Sequence, residues 1–321
     1  MTEEQHISVG SACLRLNDLP GDNPASLAVA LGVFDGVHKG HQALLHAAVD
    51  VGAAHDAQPA ALTFHPHPAG VFSPSRVPNL LTSVARRAEL LRAHGAETVV
   101  VARFDRVFAA QTPDVFEQDV LVHRLRARVV IVGDDFRYGR DRAGDAGSLR
   151  AAGLRHGFTV VVVPPVFVGG VPARSSVIRQ MVAGGQIEEA ARLLGRPYSL
   201  AGQIVRGRQL GRTIGFPTAN VQPESDDLLV PGEGVYAGRV HVRGAWHRAA
   251  ISVGTNPTVV EAGARTVEAY LLDGFAADIY GERVQTEFVT FLRGQEKYPS
   301  LDALIKQMNC DVAEVRRRVP A

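Results

Sequence analysis

At 321 residues the chain is long for one domain and suits two, on the usual scale of about 150 residues each. Hydrophobic residues make up 46% and charged residues 21%, a globular composition that excludes wholesale disorder. Lys plus Arg number 34 against 33 Asp plus Glu, so the net charge of +1 argues against a protein that coats nucleic acid through bulk charge. Two cysteines, Cys13 and Cys310, make neither a disulfide framework nor a four-Cys zinc site and point to reduced thiols in the cytoplasm. The N-terminal residues lack the basic-then-apolar pattern of a signal peptide. The longest apolar stretches, 27–34 and 158–168, fall far short of a membrane span, so a soluble protein without membrane partners is expected.

In chain order, residues 27–34, 60–64, 97–102, 129–132 and 159–163 read as buried strands. Between them, 42–54, 83–94, 113–126 and 147–156 carry apolar residues at helical spacing. Such alternation predicts a doubly wound parallel sheet covered on both faces, with ligands bound beyond the carboxyl ends of its strands. Helices at 175–183 and 186–194 close this half, and Gly195-Arg196-Pro197 ends the run. Thereafter the pattern is one of alternating strands and Gly/Pro turns: 199–206, 234–243, 247–254, 266–272 and 284–292, with a last helix at 300–317. A small antiparallel β-barrel with a terminal helix is predicted. The boundary belongs between about 183 and 198, which gives domains of 1–186 and 187–321.

Common phosphate loops are absent. No lysine follows a glycine, which excludes G-x-x-x-x-G-K-[ST]. The first strand-to-helix turn, Gly32-Val33-Phe34-Asp35-Gly36-Val37-His38-Lys39-Gly40-His41, is not G-x-G-x-x-G, and no G-x-S-x-G elbow follows a strand. A P-loop kinase, a nicotinamide dehydrogenase and an ordinary serine hydrolase are therefore poor readings. What the turn does hold is two imidazoles at a helix start, with Gly36 and Gly40 permitting tight turning and close approach. A helix N-terminus attracts an anion, and His38 and His41 can donate to charge developing on a phosphate.

Gly32 to His41 resembles the H-x-G-H motif of nucleotidyltransferases, in the form found in bacterial bifunctional riboflavin kinase/FAD synthetases. Thr63-Phe64-His65-Pro66-His67-Pro68, Val132 to Gly139, and Ser175-Ser176-Val177-Ile178-Arg179 follow in the order that family has them. The resemblance implies that FMN attacks the α-phosphorus of ATP and expels pyrophosphate, with His38 and His41 catalytic. It implies phosphate contacts from Gly32, Phe34, Asp35, Gly36, Gly40, Ser175, Ser176 and Arg179, and flavin contacts from Phe64, Pro66, His67, Asp134 and Phe136. Two departures stand out: Arg174 occupies the usual first Ser of I-S-S-T-x-I-R, and His65 replaces the usual carboxylate of T-F-[DE]-P-H-P. A phosphate is already a nucleophile near neutral pH, so positioning and charge stabilisation suffice and no general base is required.

In the second half, Gly207 to Asn220 resembles the G-x-P-T-A-N motif of riboflavin kinases, and segments at 234–237, 252–258, 267–273, 278–281 and 288–293 continue the match. The resemblance implies transfer of the ATP γ-phosphate to the 5′-hydroxyl of riboflavin. An alcohol must lose its proton, and by the same resemblance Glu268 is the base, with Asp273 and Glu261 as lesser rivals. Thr218 and Asn220 would hold Mg²⁺, Gly211, Gly215 and Pro217 would shape the phosphate loop, and Arg293 would touch flavin. The implied partners are riboflavin, FMN, FAD and ATP, with no nucleic acid, for a monomer or weak homo-oligomer. Two alternatives remain: another adenylyl or cytidylyl transferase whose barrel only binds substrate, and a nucleotide-sensing or nucleic-acid-binding barrel. The first predicts no phosphorylation of riboflavin; the second predicts a basic aromatic stripe, which 6% aromatic content speaks against.

Overall fold

The computed structural model describes residues 13–19, 26–73, 77–207, 215–255, 265–272 and 278–320. The chain divides into two compact units: Met1–Pro78 with Val84–Ala173, and Asn79–Ser83 with Arg174–Ala321.

The first unit is a six-stranded, wholly parallel sheet. Its strands are β1 (Leu14–Arg15), β2 (Leu27–Leu31), β3 (Gln58–His65), β4 (Thr98–Arg103), β5 (Ala127–Gly133) and β6 (Thr159–Val163), in the order β1-β4-β3-β2-β5-β6. Along β2, Leu27, Val29 and Leu31 enter one core cluster while Ala28 and Ala30 enter the other, and all five are buried. Burial of both faces is what makes these strands read as unbroken apolar runs. A fully buried Leu contributes about 1.5–3 kcal/mol. The covering helices include α1 (Lys39–Ala54), α2 (Val84–Ala93) and α3 (Ala146–His156). The expected helix at 113–126 is a single α-turn, Pro113–Val115, that runs into a π-helical segment, Phe116–Arg124. The expected first strand overshoots: β2 stops at Leu31, because Phe34 takes φ 55° in a turn.

The second unit starts with α4 (Ser175–Ala183) and α5 (Ile187–Leu194). It continues into a closed antiparallel barrel of β7 (Tyr198–Val205), β8 (Ala219–Pro223), β9 (Gly234–Val242), β10 (Ala245–Thr255), β11 (Arg265–Leu271) and β12 (Arg283–Arg293), in the order β7-β8-β11-β10-β9-β12. Helix α6 (Leu301–Arg318) packs Val312 and Val315 with Phe216, Ala237 and Leu272. The units part at 173/174, ahead of the expected 186/187, for a local reason. Helices α4 and α5 bond to the rest of the second unit: Gly232 N donates to Val182 O at 3.0 Å, and Phe291 N donates to Glu188 Oε1 at 3.2 Å. Strand β8 was not expected, since only Val221 of its five residues is buried, Pro217 shortly precedes it and Pro223 ends it.

Candidate active sites

In the first unit the turn after β2 is built from three residues in the left-handed region, Phe34 (φ 55°), Gly36 (φ 83°) and Val37 (φ 40°). Burial holds the two non-glycines there: Phe34 and Val37 are each 0% exposed. The turn delivers His38 as the N-cap of α1, where its Nδ1 accepts the His41 amide at 3.3 Å. The two imidazoles stack with centroids 3.6 Å apart and planes 17° from parallel, and Phe34 meets the His41 ring edge-on at 5.1 Å. Gly40 is closely packed, since a Cβ there would lie 3.0 Å from the Ala173 carbonyl and 3.1 Å from the His38 ring. Gly32 is similarly confined, with the Phe34 ring 3.2 Å from an added Cβ.

Two of the residues expected at the phosphates have buried side chains. The Phe34 side chain is wholly in the core, and Asp35, 1% exposed, stands 3.8 Å from the buried guanidinium of Arg87. These side chains shape the turn that precedes His38. Ser175, Ser176 and Arg179 lie on α4, in the second unit, with the exposed Arg174 as its N-cap making no side-chain cap bond.

The expected flavin residues of this unit cluster at the carboxyl ends of β3 and β5. Phe64, near the end of β3, is 8% exposed and packs edge-on against Phe104 at 5.7 Å. The His65–Pro66 peptide is cis, and His67 caps the short helix Pro68–Phe72, its Nδ1 accepting the Ala69 amide at 3.2 Å. Asp134 is exposed in the turn after β5, and Phe136 stacks on Tyr138 at 5.7 Å. Tyr138 is held from behind: its hydroxyl donates to Glu117 at 2.5 Å, and Arg155 donates to the same carboxylate at 2.8 Å. Burial and the Glu117 carboxylate together push the Tyr138 phenol well above its ordinary range. Sequence reasoning missed this support because Glu117 reads as a solvated helix residue.

In the second unit, β8 and β11 pair antiparallel with Asn220 directly opposite Glu268, and β10 places Ser252 opposite Glu268 on the other side. Directly opposed residues project from the same face of the sheet, so these three form one row. Along β11, Val267, Ala269 and Leu271 point into the barrel, which leaves Glu268 on its outer surface. The Thr218 hydroxyl donates to Glu268 Oε2 at 3.1 Å. Gly215 turns at φ 86°, and Pro217 follows it into β8. Gly207 leaves room for Asn220: a Cβ built on it would overlap the Asn220 carboxamide. Gln295 donates to Ser252 Oγ at 2.9 Å and to the Val253 carbonyl at 3.0 Å, a support that spacing did not reveal. Arg293, the expected flavin contact, forms a two-pronged ion pair with Asp311 of α6, Nη2 to Oδ2 being 2.7 Å and Nε to Oδ1 3.0 Å. Gly211 and the rival carboxylates Glu261 and Asp273 lie outside the described residues.

Oxygen donors dominate this row. The Asn220 carboxamide in the row and the Thr218 hydroxyl beside it are oxygen donors of the hard type that suits Mg²⁺, whereas no cluster of three or more His, Cys, Asp or Glu occurs among the described residues.

The fold and its two constellations define a two-part phosphate-transfer enzyme: a doubly wound nucleotidyl-transfer unit followed by a barrel with a carboxylate beside a phosphate-type loop. Comparison with known proteins agrees. Residues 21–177 match the FAD synthetase family and residues 194–319 the riboflavin kinase family. The bifunctional riboflavin kinase/FMN adenylyltransferase of Escherichia coli (strain K12) is 38% identical over 292 residues, covering 90% of this chain and 91% of that protein. The protein of the same description from Listeria monocytogenes is 36% identical over 289 residues, 90% and 91% of the two chains. A solved structure described as a macrolide-efflux protein from Streptococcus pneumoniae aligns with a TM-score of 0.86 at 30% identity, over 95% of this chain and 99% of that one. The chain belongs to the bifunctional riboflavin kinase/FMN adenylyltransferase family. Among the described residues no helix is long and apolar enough to cross a membrane.

Proposed function

We propose that the barrel phosphorylates riboflavin to FMN and the parallel-sheet domain transfers AMP from ATP to FMN, giving FAD and pyrophosphate. We set the division of the chemistry at about 186/187, within the interval left between the matches at 21–177 and 194–319. The observation that carries this division is the placement of carboxylates. Glu268 sits on a rigid barrel strand, receives the Thr218 hydroxyl and faces Asn220 in register. That arrangement suits removal of a proton from an alcohol. Asp35, the carboxylate of the His38–His41 turn, is turned inward onto Arg87. That site therefore suits a nucleophile that is already an oxyanion.

In the kinase reaction Glu268 takes the proton from the riboflavin 5′-hydroxyl as it attacks the γ-phosphorus of ATP. Thr218 orients the carboxylate, and the glycine at 215 lets the backbone approach the phosphates. Mg²⁺ held by Thr218 and Asn220 would neutralise phosphate charge when bound. In adenylyl transfer His38 and His41, at the positive end of α1, stabilise the charge that develops as pyrophosphate departs. Ser175, Ser176 and Arg179 suit the triphosphate, since hydroxyls at a helix start and an Arg one turn later favour an anion. Phe64, Pro66, His67, Asp134 and Phe136 form a flavin wall, and Arg293 steadies the kinase flavin side through α6. We place the enzyme in the cytoplasm as a monomer or weak homo-oligomer that binds no nucleic acid, in keeping with the free Cys13 and Cys310.

The test is chromatographic. Purified protein given riboflavin, ATP and Mg²⁺ forms FMN and then FAD, and given FMN forms FAD directly. Formation of neither product refutes the reading, and FAD formation without riboflavin phosphorylation leaves only the adenylyltransferase.

A further inference from the structure

We propose that Arg87 is a positioning residue for adenylyl transfer, locking the His38–His41 turn to the end of β3 and thereby fixing the spacing of the two substrate walls. The inference rests on the assignment of that turn to adenylyl transfer.

Adjacent arginines on α2 have opposite fates. Arg86 pairs with Glu89 one turn away at 2.7 Å, at the surface. Arg87, 1% exposed, shares the inward stripe with Ala88, Leu90 and Leu91. Its Nη1 donates to Thr63 Oγ1 and to the Phe64 carbonyl, each at 3.2 Å, while Nη2 lies 3.8 Å from Asp35 Oδ1. Thr63 passes the connection on, its hydroxyl donating to the Val33 carbonyl at 2.8 Å. One guanidinium therefore grips two chain segments. Asp35 and Val33 belong to the turn that delivers His38, and Thr63 and Phe64 belong to the strand end that forms the flavin wall.

An apolar side chain would fill the space between helix and sheet without burying a charge, and such replacements are often neutral or stabilising. Packing alone thus gives no reason for a cation here. A planar fork with fixed donor directions is what bonds two acceptors at the strand end while its other arm stands 3.8 Å from the turn's carboxylate, and a lysine ammonium does not reproduce it. The arrangement governs how the two walls stand relative to each other rather than how either binds its own ligand. Misplacement of one reactant against the other appears in the chemical step.

The experiment uses the full chain and compares Arg87→Gln, Arg87→Lys and the near-isosteric Thr63→Val. Steady-state kcat and KM for FMN and ATP are measured in adenylyl transfer. Riboflavin phosphorylation and near-UV circular dichroism are recorded on the same preparations. Arg87→Gln is expected to lower adenylyl-transfer kcat about 100-fold, with each KM within about threefold of wild type. Arg87→Lys, which keeps charge opposite Asp35, recovers part of the loss, and Thr63→Val falls in the same direction by less. Riboflavin phosphorylation stays unchanged throughout.

The inference is overturned if folded variants keep wild-type kcat, if only a KM moves, or if activity falls merely with the folded fraction. Should Arg87→Gln fail to fold, Thr63→Val decides alone by the same criteria. His41→Ala, run in parallel, separates the two levels. An active His41→Ala enzyme overturns the reading of the turn and this inference with it, whereas an inactive one beside a fully active Arg87→Gln overturns only the role of Arg87.

Discussion

His38 caps the helix that begins beside it by accepting the backbone amide of His41 through Nδ1 at 3.3 Å, and the two rings stack at 3.6 Å. A neutral imidazole that accepts through Nδ1 carries its proton on Nε2, so the cap itself selects the tautomer that can donate to a phosphate oxygen. Cap and catalysis are separable by mutation. Asn is among the best N-cap residues, so His38→Asn is expected to hold α1 in place while abolishing FAD formation. His38→Ala loses both functions and about 1 kcal/mol of stability. Thermal melts alongside FAD synthesis check this, and a His38→Asn enzyme that still makes FAD at wild-type rate would contradict it.

The Thr218–Glu268 hydrogen bond at 3.1 Å leads to a second expectation. Glu268→Gln preserves shape and one acceptor but removes the base, so phosphorylation of riboflavin falls by about 10²–10⁴-fold. Thr218→Val frees the carboxylate from its orienting hydroxyl and lowers kcat less steeply. Both variants still convert supplied FMN to FAD. Assaying the two half-reactions separately gives the answer, and loss of both activities in Glu268→Gln would end the division of labour.

Gly207 makes a sharper demand, because its missing side chain is where the Asn220 carboxamide lies. Gly207→Ala must push that carboxamide out of its row with Glu268. The expected outcome is a kinase kcat about 10-fold or more below wild type with an unchanged melting temperature, and adenylyl transfer unaffected. Equal kinase activity in Gly207→Ala and wild type would show that Asn220 has no fixed place in the reaction.

How far these features were legible depends on what each element buries. The parallel strands announce themselves because β2 to β5 bury both faces, which forces continuous Val, Ala, Leu and Ile. Strand β8 stayed hidden because Pro217 and Pro223 bracket a segment with one buried residue, even though Asn220 lies on it. Phe34 read as strand since apolarity does not reveal a positive φ. Arg87 was hidden beside Arg86 and Glu89, which together look like a solvated face; its four-residue spacing to Leu91 was the available clue. Glu268 was singled out by family resemblance alone, because strand alternation marks it only as an outward-facing residue next to buried Val267 and Ala269.

The barrel also carries an alkaline limit. Tyr236 is 0% exposed, and its hydroxyl donates to the Gly232 carbonyl at 2.5 Å. Burial pushes its phenol up to about 12, opposed by Arg265 and assisted by Glu188. In the unfolded chain the phenol titrates near its ordinary value of about 10. The folded form therefore holds the proton more tightly, so the linked stability is fully present below pH 10 and is lost as pH rises through about 12. The loss amounts to about 2 kcal/mol across that window. Tyr236→Phe removes the titration and also leaves Gly232 without its donor, so the variant is less stable at neutral pH. Its melting temperature is nonetheless expected to fall less steeply than wild type between pH 10 and pH 12. Thermal melts of both proteins over that range decide the matter, and parallel slopes would mean that another group sets the alkaline limit.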